Sequence, residues 1–208
     1  MAIETMPQAA TSPDSPGKMT FEEFLDWADE DTRAEWVNGE VEIDMSPVSD
    51  EHQTVGAFLI LLLGTFIHTR SLGVFRYESF QMRTAPDLPG RQPDILFVAN
   101  DHLDRLKELY LDGPADLVVE IVSPTSVARD RGEKFDEYER GGVREYWIID
   151  PQRKRAEFHI LDAGGVYRAA AVDGEGRFHS VALPGFVLPV AWLWENPPIA
   201  EAVQAVGA

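Results

Sequence analysis

The 208-residue chain contains no cysteine. Disulfide frameworks, thiolate metal sites and cysteine nucleophiles are therefore excluded, and we expect a cytoplasmic location, where thiols and proteins without disulfides prevail. Hydrophobic residues still make up 44% of the chain, including 11 Phe, 5 Trp and 5 Tyr. This fraction is enough for the core of one folded domain and excludes disorder along the whole chain.

The sequence also lacks an apolar run long enough to cross a bilayer. The most apolar stretch, Phe58–Ile67, has about half of the ~20 residues that a membrane-spanning helix needs. The N-terminus lacks the basic start and apolar run of a signal peptide. We therefore expect no membrane partner. We also expect a disordered tail over residues 1–18, one folded domain over residues 19–199 and a flexible C-terminus over residues 200–208.

Positive charge is scarce. The chain has 18 basic residues, of which only four are lysines, against 36 acidic residues, and its net charge is −18. The first quarter of the chain, residues 1–51, holds 14 acidic and only two basic residues. A protein that coats DNA nonspecifically needs a basic excess to neutralise phosphates. This composition therefore argues against nonspecific nucleic-acid binding.

Local patterns predict the first elements of the fold. Thr20 before FEEFLDW, with Glu23 three residues later, is a capping box that opens a short helix. The Asn38-Gly39 pair between two alternating runs predicts a hairpin. Apolar residues at helical spacing predict a long buried helix over roughly 52–70.

Short runs rich in β-branched and aromatic residues follow this helix. They predict strands over Val74–Met82, Ile95–Val98, Leu117–Val122 and Glu145–Ile149, with a charged amphipathic helix between the last two. Further strand patterns follow Asp150-Pro151. The expected fold class is α/β, with a mixed sheet flanked by helices and added N- and C-terminal β-hairpins.

Three residues are candidates for catalysis. Glu120 is the one charged residue in LVVEIV, and a carboxylate in a central strand is costly to bury unless it is paired or binds a metal. Asp94 begins an apolar strand after Pro93, and Lys134 shares a helix face with Tyr138. Each candidate also has a purely structural interpretation. Glu120 could face solvent at a sheet edge or form a structural salt bridge, Asp94 could belong to a turn, and Lys134 could lie on a solvated helix face.

Two carboxylates and a lysine that converge at a sheet end suit phosphodiester hydrolysis. Hard oxygen ligands hold Mg²⁺ or Mn²⁺, and such an ion keeps several waters. The metal lowers the pKa of a bound water, and an ammonium stabilises the charge that develops on the phosphate.

The segments QPDILFV, DLVVEIVSPTS and GEKFDEYERGGVREYWIIDP, in that order, closely resemble the Uma family of predicted restriction endonucleases, in the PD-(D/E)XK nuclease superfamily. FEEFLDW, EWVNGE and SPVSDEHQ also look like its N-terminal pattern, and the resemblance covers roughly residues 19–195. It implies a restriction-endonuclease-like core of helix, three strands, helix and strand. It also implies an endonuclease that hydrolyses DNA through a water activated by Mg²⁺ or Mn²⁺.

By this resemblance Asp94 and Glu120 are the two acids of the motif and hold the metal. We expect the carbonyl of Ile121 and waters to complete the oxygen shell. In the superfamily the lysine lies two residues after the second acid, but Val122 occupies that position here. The resemblance therefore assigns the catalytic ammonium to Lys134 on the following helix.

Three further residues, Glu35, His52 and Tyr138, are expected near the rim of this site. For Glu35 an ordinary hairpin charge, and for His52 a capped helix start, are the plain alternatives. We also expect a homodimer, because the late strands carry more aromatic surface than a small core needs and duplex cleavage is simplest with two sites. The competing hypothesis is a catalytically silent nuclease fold that acts as a binding or regulatory module.

Overall fold

The computed structural model describes residues 16–29, 32–43, 46–78, 80–124 and 126–207. The disordered tail expected over residues 1–18 lies outside this part of the chain except at residues 16–18. The helices are α1 (Phe21–Trp27), α2 (Asp50–Thr69), α3 (Val127–Asp130), α4 (Glu133–Gly141), α5 (Trp192–Glu195) and α6 (Ile199–Ala205), with a 3-10 helix at Asn100–Arg105.

The strands form three sheets. The strands are β1 (Ala34–Val37), β2 (Glu40–Ile43), β3 (Gly73–Tyr77), β4 (Gln81–Arg83), β5 (Gly90–Arg91), β6 (Ile95–Ala99), β7 (Tyr110–Asp112), β8 (Leu117–Ile121), β9 (Glu145–Asp150), β10 (Arg155–Leu161), β11 (Tyr167–Ala169), β12 (Arg177–His179) and β13 (Val187–Pro189). A large sheet has the order β11-β10-β9-β8-β6-β3, a small sheet has the order β2-β1-β5-β4-β7, and β12 pairs with β13.

Local sequence signals account for the N-terminal elements. The Oγ1 of Thr20 accepts the Glu23 N–H at 3.1 Å, and the Glu23 carboxylate accepts the Thr20 N–H at 2.8 Å. Asn38 and Gly39 have φ of 52° and 89°, which the tight turn between β1 and β2 requires. The predicted capping box and hairpin are confirmed.

The large sheet is mixed, as predicted. β8 and β9 are parallel, whereas the other neighbouring strands are antiparallel. β6 lies beside β8, with Ile95 opposite Val119. Because side chains alternate between the two faces of a strand, Val118, Glu120 and Val122 share one face.

Helices cover both faces of the large sheet. α2 packs on one face, together with the C-terminal segment, and α4 packs on the other face through Tyr138. By length and composition alone α2 could cross a membrane. Seven of its side chains are nevertheless buried in the core of the domain, as expected of a core helix. The predicted α/β fold, with a mixed sheet flanked by helices, is confirmed.

The predicted strand Val74–Met82 is wrong as a single element. Its first part belongs to β3 in the large sheet, and its last part belongs to β4 in the small sheet. Glu78 lies between them with a positive φ of 40°, a conformation that a continuous strand does not adopt. The chain therefore changes sheets at this point.

The C-terminal end differs from the flexible segment that was expected over residues 200–208. α6 packs on α2, and Ala202 and Val206 are buried in the main core. The guanidinium of Arg70 donates a hydrogen bond to the carbonyl of Gly207 at 3.0 Å. Small apolar residues at helical spacing therefore order residues 200–207 against the longest helix.

The late aromatic residues pack inside the chain. Phe158 stacks on Phe178 with 3.9 Å between ring centroids, and Trp147 contacts Phe186 in the same buried cluster. These side chains therefore give no surplus of exposed aromatic surface for a second copy. The homodimer stays a prediction, but exposed aromatic surface no longer supports it.

Two glycines of α2 offer a matched test of its packing. A Cβ at Gly56 would lie 3.5 Å from Cδ1 of Ile121, an ordinary contact, but a Cβ at Gly64 would lie 2.9 Å from the Phe75 ring. Ala is favoured over Gly in a helix interior by about 0.5–1 kcal/mol. We expect Gly56→Ala to raise the free energy of unfolding in urea by this amount. We expect Gly64→Ala to lower it by about 1–3 kcal/mol, and equal effects would contradict this packing.

Candidate functional site

A polar cleft of about 220 Å³ lies where β8 ends and α2 begins. Its walls come from both larger sheets, from the first turn of α2 and from the segment of α3 and α4. Six of the seven residues predicted for the site line it, and they are Glu35, His52, Asp94, Glu120, Ile121 and Lys134. The seventh, Tyr138, lies behind Glu120 in the apolar cluster under α4.

Asp94 and Glu120 are brought together by the neighbouring strands β6 and β8. Ile121 directly follows Glu120, and its backbone N–H donates a hydrogen bond to Oδ2 of Asp94 at 2.6 Å. The Oδ1 of Asp94 lies 3.4 Å from Nε2 of His52. Burial lowers the pKa of His52, but the hydrogen bond and charge of Asp94 outweigh it and the net shift is upward.

Glu120 is buried and anchored by α4. Its Oε1 accepts hydrogen bonds from Nζ of Lys134 at 3.0 Å and from the hydroxyl of Tyr138 at 2.8 Å. Burial raises the pKa of Glu120 to about 8; Lys134 opposes this shift, whereas Asp130 and Asp94 add to it. Burial, more than the neighbouring acids, therefore disfavours the charged form of this carboxyl group.

The ammonium of Lys134 is enclosed by acids. Its side chain is only 3% exposed, and Nζ lies 3.0 Å from Oε1 of Glu35, 3.0 Å from Oε1 of Glu120 and 3.7 Å from Oδ1 of Asp130. Burial lowers the pKa of Lys134, but these carboxylates outweigh burial and raise it. Lys134 therefore stays charged and points into the domain rather than to solvent.

Arg91 of β5 does not line the cleft but binds Glu35, which does, and the sequence analysis missed it. Its buried guanidinium donates to Oε2 of Glu35 at 2.9 Å and to both carboxylate oxygens of Glu137, at 2.7 and 2.8 Å. Its partners lie far away in sequence, so no local pattern could have found it.

Glu35 lines the cleft and is buried, and it links two cations instead of being an ordinary hairpin charge. Its Oε2 accepts a hydrogen bond from the guanidinium of Arg91. Its Oε1 accepts a hydrogen bond from the Gln92 N–H and forms an ion pair with the ammonium of Lys134. Burial raises the pKa of Glu35, but Lys134 and Arg91 outweigh burial and lower it to about 2. Glu35 is thus an anion that joins two cations.

Asp130 is a second residue near the site that the sequence analysis did not select. It is 2% exposed and lines the cleft. Its Oδ1 accepts no hydrogen bond from the described residues and lies 3.7 Å from Nζ of Lys134. Burial raises its pKa. Its place four residues before Lys134 was the one signal in the sequence that could have identified it.

The donor set fits a divalent cation held by few protein ligands. Among the described residues, no group of three or more His, Asp or Glu side chains could hold a metal ion. Mg²⁺ is commonly bound by one or two carboxylates and keeps several waters, which matches the pair of Asp94 and Glu120. A cation there would also offset the burial and the neighbouring negative charges that raise the pKa of Glu120.

Two comparisons with known proteins found a similarity, one in sequence and one in structure. Residues 21–191 match the family model Uma2, described as "Putative restriction endonuclease". The fold is similar to the crystal structure of "a putative nuclease belonging to DUF820" from Anabaena variabilis ATCC 29413, with a TM-score of 0.67 and 15% identity. That similarity covers 85% of this chain and 98% of the other. No curated protein matches the chain.

The buried charge cluster can be tested through Arg91. Arg91→Met leaves Glu35 and Glu137 without their buried partner, so we expect the free energy of unfolding to fall by about 3–5 kcal/mol in urea denaturation. The control is Arg168→Met, because Arg168 forms an exposed pair with Asp162; its effect should stay within about 0.5 kcal/mol. A similar small effect at Arg91 would show that the cluster is not needed for stability.

Proposed function

Because the chain belongs to the Uma2 family, we propose that it is a metal-dependent endonuclease that hydrolyses DNA phosphodiester bonds. The observation that carries this proposal is the convergence of Asp94, Glu120 and Lys134 in one polar cleft. The cytoplasmic location and the homodimer stay predictions.

In this proposal Asp94, Glu120 and the carbonyl of Ile121 hold Mg²⁺ or Mn²⁺. When bound, the ion would lower the pKa of a water and so make its deprotonation to a nucleophile easier. The Ile121 N–H fixes one oxygen of Asp94, and Tyr138 with Lys134 fixes one oxygen of Glu120. The protein thereby orients both carboxylates before any ligand arrives.

Lys134 has two roles in the proposed reaction. It holds Glu120 in place through the 3.0 Å contact, and its charge stabilises the negative charge that develops on the reacting phosphate. Val122 shares the face of Glu120, but it is buried in an apolar cluster and is not among the residues that line the cleft, so it takes no part in the chemistry. His52, beside Asp94, keeps that carboxylate in position.

Metal binding is tested by thermal unfolding. We expect Mn²⁺ or Mg²⁺ to stabilise the protein, by about 2.7 kcal/mol at a hundred times the dissociation constant. Glu120→Gln keeps the shape of the side chain but removes its charge, so it should abolish this gain. The control is Asp136→Asn, an exposed acid of α4, which should keep the gain. An unchanged gain in Glu120→Gln would remove Glu120 from the metal site.

Catalysis is tested by nicking of supercoiled plasmid with purified protein and Mn²⁺. We expect the unaltered protein to nick, and Asp94→Asn to be inactive. Lys134→Arg keeps the charge but does not fit the compact space between Glu35 and Glu120, so nicking should slow about 100-fold or more while Mn²⁺ still stabilises the protein. Lys107→Arg, at an exposed site, is the matched control.

The same assay separates the competing function. A catalytically silent nuclease fold that serves as a binding or regulatory module would be stabilised by Mn²⁺ or unaffected by it, and would leave the plasmid intact. Nicking that survives Asp94→Asn would instead indicate a contaminating nuclease.

A further inference from the structure

Arg129 of α3 lines the same cleft as Asp94 and Glu120, and its side chain is half-buried there. Burial lowers its pKa, but the charges of Glu35 and Asp130 outweigh burial and raise it. We propose that Arg129 binds a phosphate of the DNA backbone and orients the phosphodiester over the two carboxylates. This inference rests on the proposed nuclease function and extends it to how the substrate is held.

Lys134 is poorly placed for the same task. A lysine ammonium has three N–H donors. Glu35 and Glu120 each lie 3.0 Å from Nζ, and Asp130 lies on a third side at 3.7 Å. The side of the ammonium that is left faces the Asp130 carboxylate, whose negative charge opposes the approach of a phosphate oxygen. Lys134 therefore acts on the substrate through its charge rather than through a hydrogen bond.

Arg129 is better suited because of its shape. A guanidinium carries five N–H donors in a planar fork, which matches two oxygens of one phosphate. It can keep contacts to the protein and still donate to a substrate. The next residue, Asp130, lies near Lys134. Arg129 and Asp130 therefore place one more positive and one more negative charge beside the charged residues of the cleft.

Few other cations are available to hold an anionic substrate. Within the described part of the chain, the Arg and Lys side chains that line the cleft are Arg33, Arg129 and Lys134. With a net charge of −18, the chain has no overall basic excess to assist DNA binding. A small number of phosphate contacts must therefore carry the binding, and the loss of one should be measurable.

Arg131 provides a matched control in the same segment. Its guanidinium donates to Glu157 at 2.7 Å and to Asp150 at 3.5 Å, and it is not among the residues that line the cleft. Replacing either arginine by methionine changes the net charge of the protein equally. Any difference between the two variants therefore reports position rather than total charge.

The experiment is fluorescence anisotropy of a labelled DNA duplex with the full chain, at fixed Ca²⁺ and at NaCl between about 50 and 200 mM. Arg129→Met should weaken binding about tenfold at the lowest salt and reduce the slope of log K against log[salt] by about 1. Arg131→Met should change neither quantity. Arg129→Gln, which removes the charge but retains hydrogen-bond donors, repeats the slope test if Arg129→Met melts below the assay temperature.

Equal losses in the two methionine variants, or none in either, would overturn the phosphate role of Arg129. Plasmid nicking by the unaltered protein keeps this outcome separate from failure of the proposed function. If that protein nicks DNA but the Arg129 variants bind DNA as well as it does, only the inference about Arg129 fails. If it neither nicks nor binds DNA, the proposed function and the inference fail together.

Discussion

A lysine ammonium can be buried only where anions surround it, and here that requirement joins three parts of the molecule. Lys134 on α4 contacts Glu120 of the large sheet and Glu35 of the small sheet at the same distance. Arg91 contacts the other oxygen of Glu35 and returns to α4 through Glu137. An unpaired charge at any of these places would cost several kcal/mol. The cluster therefore sets where the small sheet and α4 lie relative to Glu120.

The same cluster gives two glutamates opposite properties. Glu35 lies between two cations and keeps a pKa of about 2, so it is a permanent anion. Glu120 shares one cation with other acids, and burial raises its pKa to about 8. Environments that push the pKa values of like residues apart are typical of functional sites. Glu35 thus serves the structure of the site, whereas Glu120 is the carboxylate that a cation would stabilise.

The sequence predicted the features that have short-range causes. Asn38-Gly39 and the periodic apolar face of α2 each depend on residues within a few positions of one another, and Glu120 stands out as one charge in an apolar strand. Arg91 could not be found this way, because its partners lie on other elements. The separation of β3 from β4 was missed because one strand-like run spans both. Asp130 was hidden among the many charges of its segment.

The contact between Glu35 and Lys134 joins positions separated by nearly half of the chain. A ribosome releases β1 long before α4, and long-range contacts form only once both partners are free to meet. An unfinished or prematurely terminated chain that ends before α4 lacks the ammonium and one wall of the cleft. This order of assembly delays completion of the cleft until α4 has been synthesised, when most of the chain is already available.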